Sequence, residues 1–317
     1  MAVAHIPESH QVGQHLLEQI RHLSVHLGWL RSVSCAGIGS AALAGRGVKS
    51  LVRRGIRALG LDLVQYPILD DLALRQHLQR LLPLLEINTV LDVGAHRGEF
   101  GQFLRDMGYT GHIFSFEPVR ENFERLEKLC AKDGRWQAVC CALGDHEGVE
   151  TLHVARHSSF SSFLPVNDFG RRQFASESAT EKDELVPMKR LDDVFEECVR
   201  GIENPRVYLK IDTQGYDMRV LEGAAGHVDR VLALQLELSV KSIYEGPLNY
   251  LEAIAQANQK GFEVTGLFPV SCDSAMRVIE FDCVFVGPNS LYSFRMMGDT
   301  RKRLFYASFA SPERRVR

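Results

Sequence analysis

The stretch Asn88-Thr-Val-Leu-Asp-Val-Gly-Ala-His-Arg-Gly-Glu-Phe-Gly101 constrains this chain more than any other. Thr89 to Val93 is a short apolar run rich in β-branched residues, which predicts a buried strand. Gly94 and Gly98 follow, and then Phe100, Phe103, Leu104 and Met107 recur at helical spacing. Strand, glycine turn and helix in this order belong to open α/β folds. Such folds bind ligands beyond the carboxyl ends of strands and beside helix N-termini. A glycine turn also closes strands for purely structural reasons, so this stretch by itself names no ligand.

The charge at the turn narrows the choice. The glycines fall at 94, 98 and 101, so the dinucleotide fingerprint G-x-G-x-x-G is not met: His96 stands where its second glycine belongs. Asp92 at the strand's end would repel a pyrophosphate but attract a ligand carrying an ammonium and a sulfonium. S-adenosylmethionine is such a ligand. Ile113-Phe-Ser-Phe-Glu117 predicts the next strand, ending in an acid. Glu117 follows Gly98 by about 20 residues, the offset at which an acid takes ribose hydroxyls. Asp92, Gly94, Ala95, His96, Gly98, Glu117 and Pro118 are therefore the candidate cofactor residues.

Four segments, in order, resemble a known family: Leu91-Asp-Val-Gly-Ala-His-Arg-Gly98, Phe114-Ser-Phe-Glu-Pro118, Ala142-Leu-Gly-Asp145 and Leu209-Lys-Ile-Asp-Thr-Gln-Gly-Tyr-Asp217. They are similar to the FkbM-type methyltransferases, and the resemblance covers roughly 60–288. It implies a class I fold dependent on S-adenosylmethionine, with activity on hydroxyls of sugars and natural products. It also implies that Leu143, beside Gly144 at the end of the third strand, lies near adenine. Where the family often carries glutamate, this chain has Gln214.

The predicted fold is α/β, a Rossmann-like, mostly parallel sheet with helices on both faces, preceded by an N-terminal helical segment. The chain of 317 residues is 45% apolar and 24% charged, ordinary for a globular protein. The expected division is a helical extension over 1–85 with a Gly/Ala-rich linker at 36–47, a methyltransferase domain over 86–290, and a basic tail over 291–317. Beyond Glu117, a helix is expected over Val119 to Lys132 and a third strand over Gln137 to Leu143. Further strands are expected at Val149 to Val154, Arg206 to Asp212 and Arg230 to Leu238, with closing strands at Phe262 to Phe268 and Phe281 to Gly287. A net charge of −3 gives no whole-molecule argument for nucleic acid. Seven cysteines without a C-x-x-C pair read as buried, reduced thiols, with Cys140 and Cys141 facing opposite ways on a strand. No span-length apolar window and no basic secretory start are evident, so a cytoplasmic location is expected. Arg46, Lys49, Arg53, Arg54 and Arg57 carry no acid among them and flank an apolar stripe. That segment, 46–57, suits contact with the inner face of a membrane. A solvated helix packed on the enzyme core is the preferred reading.

Strands of a covered parallel sheet should be continuous apolar runs. Two are not. Tyr208, Lys210 and Asp212 share one face of their strand, and Gln235, Glu237 and Ser239 share one face of theirs. Buried charges must pair or face a cleft. A structural pair of Lys210 with Glu237 or Asp145 is one reading; a site role is the other, since Asp212 falls where such folds hold ligands. A sugar hydroxyl needs a base in reach, or a metal, to attack a methyl group. Asp212 and Glu237 are candidates for either, including as carboxylate ligands of Mg²⁺. Lys210 joins them as a catalytic candidate. His157, before the serine-rich loop His157-Ser-Ser-Phe-Ser-Ser-Phe163, is a second candidate base. The leading expectation is an O-methyltransferase acting on a sugar or glycan acceptor. The alternatives are a non-catalytic scaffold that binds S-adenosylmethionine, and a nucleotide-dependent oxidoreductase, which His96 and Asp92 disfavour.

Overall fold

Thr89–Val93 forms strand β1, and every one of its five residues is buried. This follows from its place at the centre of a seven-stranded sheet in the computed structural model, which describes residues 72–290. The expectations for the N-terminal extension, the linker, the segment 46–57 and the tail lie outside the described residues. Helix α1 (Leu72–Leu84) leads into β1 and buries Leu74, Leu78, Leu81 and Leu82 along one stripe. After the glycine turn come α2 (Glu99–Met107), β2 (His112–Phe116), α3 (Arg120–Cys130) and β3 (Trp136–Val139). The main sheet resumes with β7 (Val207–Ile211), α6 (Asp217–Glu222), β8 (Val231–Ser239), α7 (Tyr250–Gln259), β9 (Glu263–Cys272) and β10 (Val278–Val286).

The strand order is β3-β2-β1-β7-β8-β10-β9. The first five strands of that order run parallel, and β10 and β9 are antiparallel to their neighbours. The expected mostly parallel sheet with covered faces is therefore present. One face is packed by α1, α2 and α3 around Val90, Ile113 and Tyr208. On the other, Leu91, Val93, Leu209 and Ile211 meet α6, α7 and α5 (Leu191–Val199). The alternation of each strand thus feeds two separate cores. Asn249 caps α7 with hydrogen bonds to the amides of Leu251 and Glu252. Gly261 just past that helix is left-handed.

The expected third strand is not one strand. Trp136–Val139 pairs with β2 in the main sheet, whereas β4 (Ala142–Gly144) belongs to a second sheet of order β4-β6-β5. Between them the Cys141 amide donates back to the Val139 carbonyl, so the chain turns at Cys140 and leaves the main sheet. The two cysteines are therefore in a bend and do not alternate on a strand. Strands β5 (Gly148–Ala155) and β6 (Thr180–Arg190) complete the small sheet. A short helix α4 (Asp168–Gln173) lies between β5 and β6. Among the described residues no helix is long and apolar enough to cross a membrane.

The turn after β1 is fixed by its neighbours. The amides of Gly94 and Ala95 both donate to the Phe116 carbonyl, and the Asp212 amide donates to Val93. Gly94 is left-handed, with φ of 78°, and a Cβ there would lie 1.8 Å from the Asp212 carbonyl oxygen. Backbone cannot yield as a side chain can. Gly94→Ala should therefore destabilise the fold by about 2 kcal/mol or more in urea unfolding. Gly134→Ala, where nothing lies within 4 Å of an added Cβ, should change it by less than about 0.5 kcal/mol.

Candidate active site

The carboxyl ends of β1, β2, β7 and β8 open into a cavity of about 590 Å³. Its first half is built on the glycine turn. Gly94, Ala95 and His96 line it, with Glu117 and Pro118 from the end of β2 and Leu143 from β4. Glu117 is 4% exposed. Its carboxylate accepts the His96 amide at 2.8 Å, the Val119 amide at 2.9 Å and the Asn122 side-chain amide at 3.4 Å. Burial pushes the Glu117 carboxyl up to about 7, against the pull of these donors. Cys141, Ala142, Leu143 and Leu152 give this half an apolar wall. His96 has a left-handed backbone, φ 49°. Its ring contacts Glu99 at 3.0 Å and Ser158 at 2.7 Å. Ser158 also donates to Asn122 at 3.2 Å. The turn 158–160 is thus tied across the cavity mouth to the glycine turn.

The second half is polar and lies over β7 and β8. Lys210 is 6% exposed, and its ammonium reaches Asp212 at 3.0 Å and Asp92 at 3.6 Å. Burial opposes its charge, but the carboxylates of Asp212 and Asp92 outweigh it and raise its pKa. Burial likewise opposes the charge of Asp212, and Lys210 outweighs that, so the Asp212 carboxyl is held below its ordinary range. Glu237 goes the other way. Burial and the charge of Asp212 hold its carboxyl well above the usual range. The two neighbouring carboxyls are thus shifted in opposite directions. The side-chain amide of Gln214 spans both, at 3.3 Å from Asp212 and 2.7 Å from Glu237. Phe100 and Phe103 provide an aromatic flank, with their rings stacked 6.0 Å apart.

Ten of the thirteen sequence-derived candidates line the cavity: Gly94, Ala95, His96, Glu117, Pro118, Leu143, His157, Lys210, Asp212 and Glu237. Asp92, Gly98 and Gly144 do not. Asp92 is fully buried beneath Lys210 and accepts the Ser115 hydroxyl at 3.0 Å. The direct contact with a ligand expected of Asp92 is thus replaced by a contact with Lys210. Gly98 caps α2 in a left-handed conformation and faces Leu126, Leu129 and Trp136. Gly144 faces Met188 and Tyr216, beneath the small sheet. The alternative pairs of Lys210 with Glu237 or Asp145 are also corrected: Asp145 bonds to Arg219 and His146. His157 is exposed at the mouth, its ring bonded to Ser159 at 2.7 Å.

Glu280 and Asp282 also line the polar half. They were legible, because Val278-Ile-Glu-Phe-Asp-Cys-Val sets two acids on one face of an otherwise apolar strand. Tyr244, whose hydroxyl meets Gln214, gave no such signal. Among the described residues no group of three or more His, Cys, Asp and Glu is arranged to hold a metal ion.

The FkbM methyltransferase domain matches residues 92–279, more than half of the chain. No curated protein matches the sequence. Similar solved structures include an uncharacterized protein of Listeria monocytogenes serotype 4b, at 10% identity and a TM-score of 0.36. That match covers 66% of this chain and 66%, just under two thirds, of that one. Fibrillarin of Aeropyrum pernix with bound S-adenosyl-L-methionine is 12% identical, with 67% and 74% covered and a TM-score of 0.38. A 1,6-didemethyltoxoflavin-N1-methyltransferase of Burkholderia thailandensis is 10% identical, with 80% and 93% covered and a TM-score of 0.37.

The Lys210 pairing makes a measurable demand on stability. Lys210→Met leaves Asp92 and Asp212 buried without their cation, and this should cost about 3–5 kcal/mol near neutral pH. The Lys210 pKa is raised, so its contribution is complete at all pH values below the ordinary lysine range and is lost only in strong alkali. Asp212 is depressed, so its contribution is present above the ordinary aspartate range and fades in acid. In the variant the unpaired carboxyls gain by taking up protons. The stability gap from wild type should therefore narrow as the pH falls from about 8 to about 5 in urea unfolding.

Proposed function

The chain belongs to the FkbM methyltransferase family, and from that premise we propose that it transfers the methyl group of S-adenosylmethionine to a hydroxyl of a sugar, glycan or glycosylated natural product. The observation that carries this reading is the cluster of Asp212, Glu237 and Gln214 beside Lys210 at the cavity's polar end. When bound, S-adenosylmethionine supplies an electrophilic methyl group on a sulfonium. The fit of this chain to it rests on the cradle around Glu117. A buried carboxylate already held by two backbone amides has lone pairs left for ribose hydroxyls, and the apolar wall beside it suits a flat adenine.

In this reading Asp212 takes the proton of the acceptor hydroxyl as the oxygen approaches the methyl carbon. Lys210 holds Asp212 in its charged form and orients it from below. Phe100 and Phe103 suit the apolar face of a sugar ring. Asp212 and Glu237 close on one another and on Gln214, which favours a direct base over a divalent ion held between the two. His157 is exposed and its ring is bonded to Ser159, so it is the less favoured candidate. The test is mass spectrometry of glycans and metabolites from a strain lacking the protein. Loss of one CH₂ unit from a sugar-containing species supports the reading, and an unchanged glycan and metabolite profile counts against it.

Two measurements address the residues. Glu117→Ala should weaken S-adenosylmethionine binding by roughly 1–3 kcal/mol in calorimetry. Ribose hydroxyls need the carboxylate, and its pKa is about 7. Wild-type affinity should therefore rise as the pH passes upward through about 7, and this dependence should vanish in Glu117→Ala. Asp212→Asn keeps shape and removes charge. It should lower kcat by about 10²–10⁴ while leaving S-adenosylmethionine affinity nearly intact. A wild-type kcat would reduce Asp212 to one half of a structural ion pair.

A further inference from the structure

Gln214 lies between the two carboxyls, and its amide has a definite direction. Its Nε2 faces Asp212 and Glu237, while its Oε1 accepts the Tyr244 hydroxyl at 2.9 Å. The direction follows from the carboxyl side: the Asp212 carboxylate only accepts, so it takes the Nε2 end and leaves Oε1 to the Tyr244 hydroxyl. Gln214 is itself held in a left-handed conformation, φ 54°, and the Ser162 hydroxyl donates to its backbone carbonyl at 2.8 Å. Tyr244 is 2% exposed, packed with Ile243 and Ile279. Its hydroxyl also lies 3.0 Å from the Phe160 carbonyl. Asn167 secures the segment by donating to the carbonyls of Ser242 and Tyr244 at 2.8 and 3.0 Å. The Ser162 and Tyr244 hydroxyls both donate to Gln214, one to its backbone carbonyl and one to its side chain.

We propose that Tyr244 is a positioning residue for methyl transfer: its hydroxyl fixes the Gln214 amide so that the amide N–H groups hold Asp212 and Glu237 in register. The proposal rests on the reading of Asp212 as the base. A Gln214 amide turned end for end would set Oε1 against the two carboxyls, and Asp212 would lose its amide donor. The Asp212 carboxylate would then settle onto the Lys210 ammonium and away from the acceptor. The Tyr244 hydroxyl opposes this rearrangement by occupying Oε1. The charged groups around Asp212 on the packed elements are Lys210 of β7, Asp92 of β1, Glu237 of β8, Glu280 and Asp282 of β10, and Asp217 of α6.

The test is the side-chain amide ¹H–¹⁵N spectrum of the full chain loaded with S-adenosylhomocysteine. The Gln214 pair is assigned as the one missing in Gln214→Met. Tyr244→Phe keeps the ring and removes the hydroxyl. In wild type the Gln214 protons should be inequivalent and protected from exchange, and in Tyr244→Phe the protection should fall about tenfold, the scale of one lost hydrogen bond. Transfer of labelled methyl from S-adenosylmethionine to the glycan fraction of a strain lacking the protein should then lose about tenfold in kcat, with KM for S-adenosylmethionine within about twofold. Gln214→Asn, too short to span tyrosine and carboxyls, should lose kcat similarly by an independent route. A Tyr244→Phe protein with wild-type Gln214 exchange overturns the proposal, as does a Gln214→Asn protein with wild-type kcat. The underlying reading fails separately: an Asp212→Asn protein with wild-type kcat removes the base whatever the Gln214 spectrum shows.

Discussion

The ammonium of Lys210, buried between Asp92 and Asp212, is the interaction on which the rest of the site depends. Taking charges out of water costs several kcal/mol each unless the geometry returns it. The sheet returns it through register. Ser115, Asp92, Lys210 and Gln235 are successive cross-strand partners on β2, β1, β7 and β8, so their side chains form one polar row on one face. The row is anchored at one end by the Trp136 indole, which donates to Ser115 at 3.0 Å. On the adjoining strands, Tyr208 donates to Gln235 at 2.6 Å. A slip of one residue in any of these strands would carry a polar side chain into an apolar core. The same row that aims Lys210 at Asp212 therefore also specifies the pairing of the four central strands.

Two carboxyls of the cavity are tuned by different means, and this separates its halves. Glu117 lies where burial works against several weak donors, and its carboxyl sits near neutrality. Asp212 lies where burial works against a full positive charge, and its carboxyl stays ionised. The difference comes from strand position. Glu117 closes the second strand, beyond the row of charges, and its donors are backbone amides of the glycine turn and of the next helix. Asp212 closes the strand that carries Lys210 two residues earlier, on the same face. In the proposed reaction the first half grips a cofactor and the second half does proton chemistry, so each half has the acid that its task requires.

Much of this was legible in the sequence, for local reasons. The glycine turn, the acid ending the next strand, and the polar positions at 208, 210, 212, 235 and 237 all follow from strand period and strand ends. Short-range pattern also misleads where the next partner is distant. Gln137 to Leu143 reads as one apolar run, yet its two halves pair with different sheets, because β6 arrives from more than 40 residues away to claim Ala142–Gly144. Asp92 reads as a strand-end acid facing a ligand, yet it lies one layer lower, since the cation between it and the cavity comes from a different strand. Gly98 and Gly144 have packing reasons to be glycine that no periodicity contains. Tyr244 sits in a loop, and its partner Gln214 is 30 residues away.

The glutamine at 214 joins the two carboxyls of the site. A glutamate there would set a third carboxyl against Asp212 and Glu237, with Lys210 as the cation already in contact. Such a cluster would need an extra proton or an added cation to remain folded around its own charge. The amide needs neither. It donates to both carboxyls and adds no charge. The amide has a cost of its own, because unlike a carboxylate it has two chemically different ends and must be told which way to face. The Tyr244 hydroxyl supplies that instruction. A tyrosine far along the chain thereby becomes part of the site because of a choice made at 214.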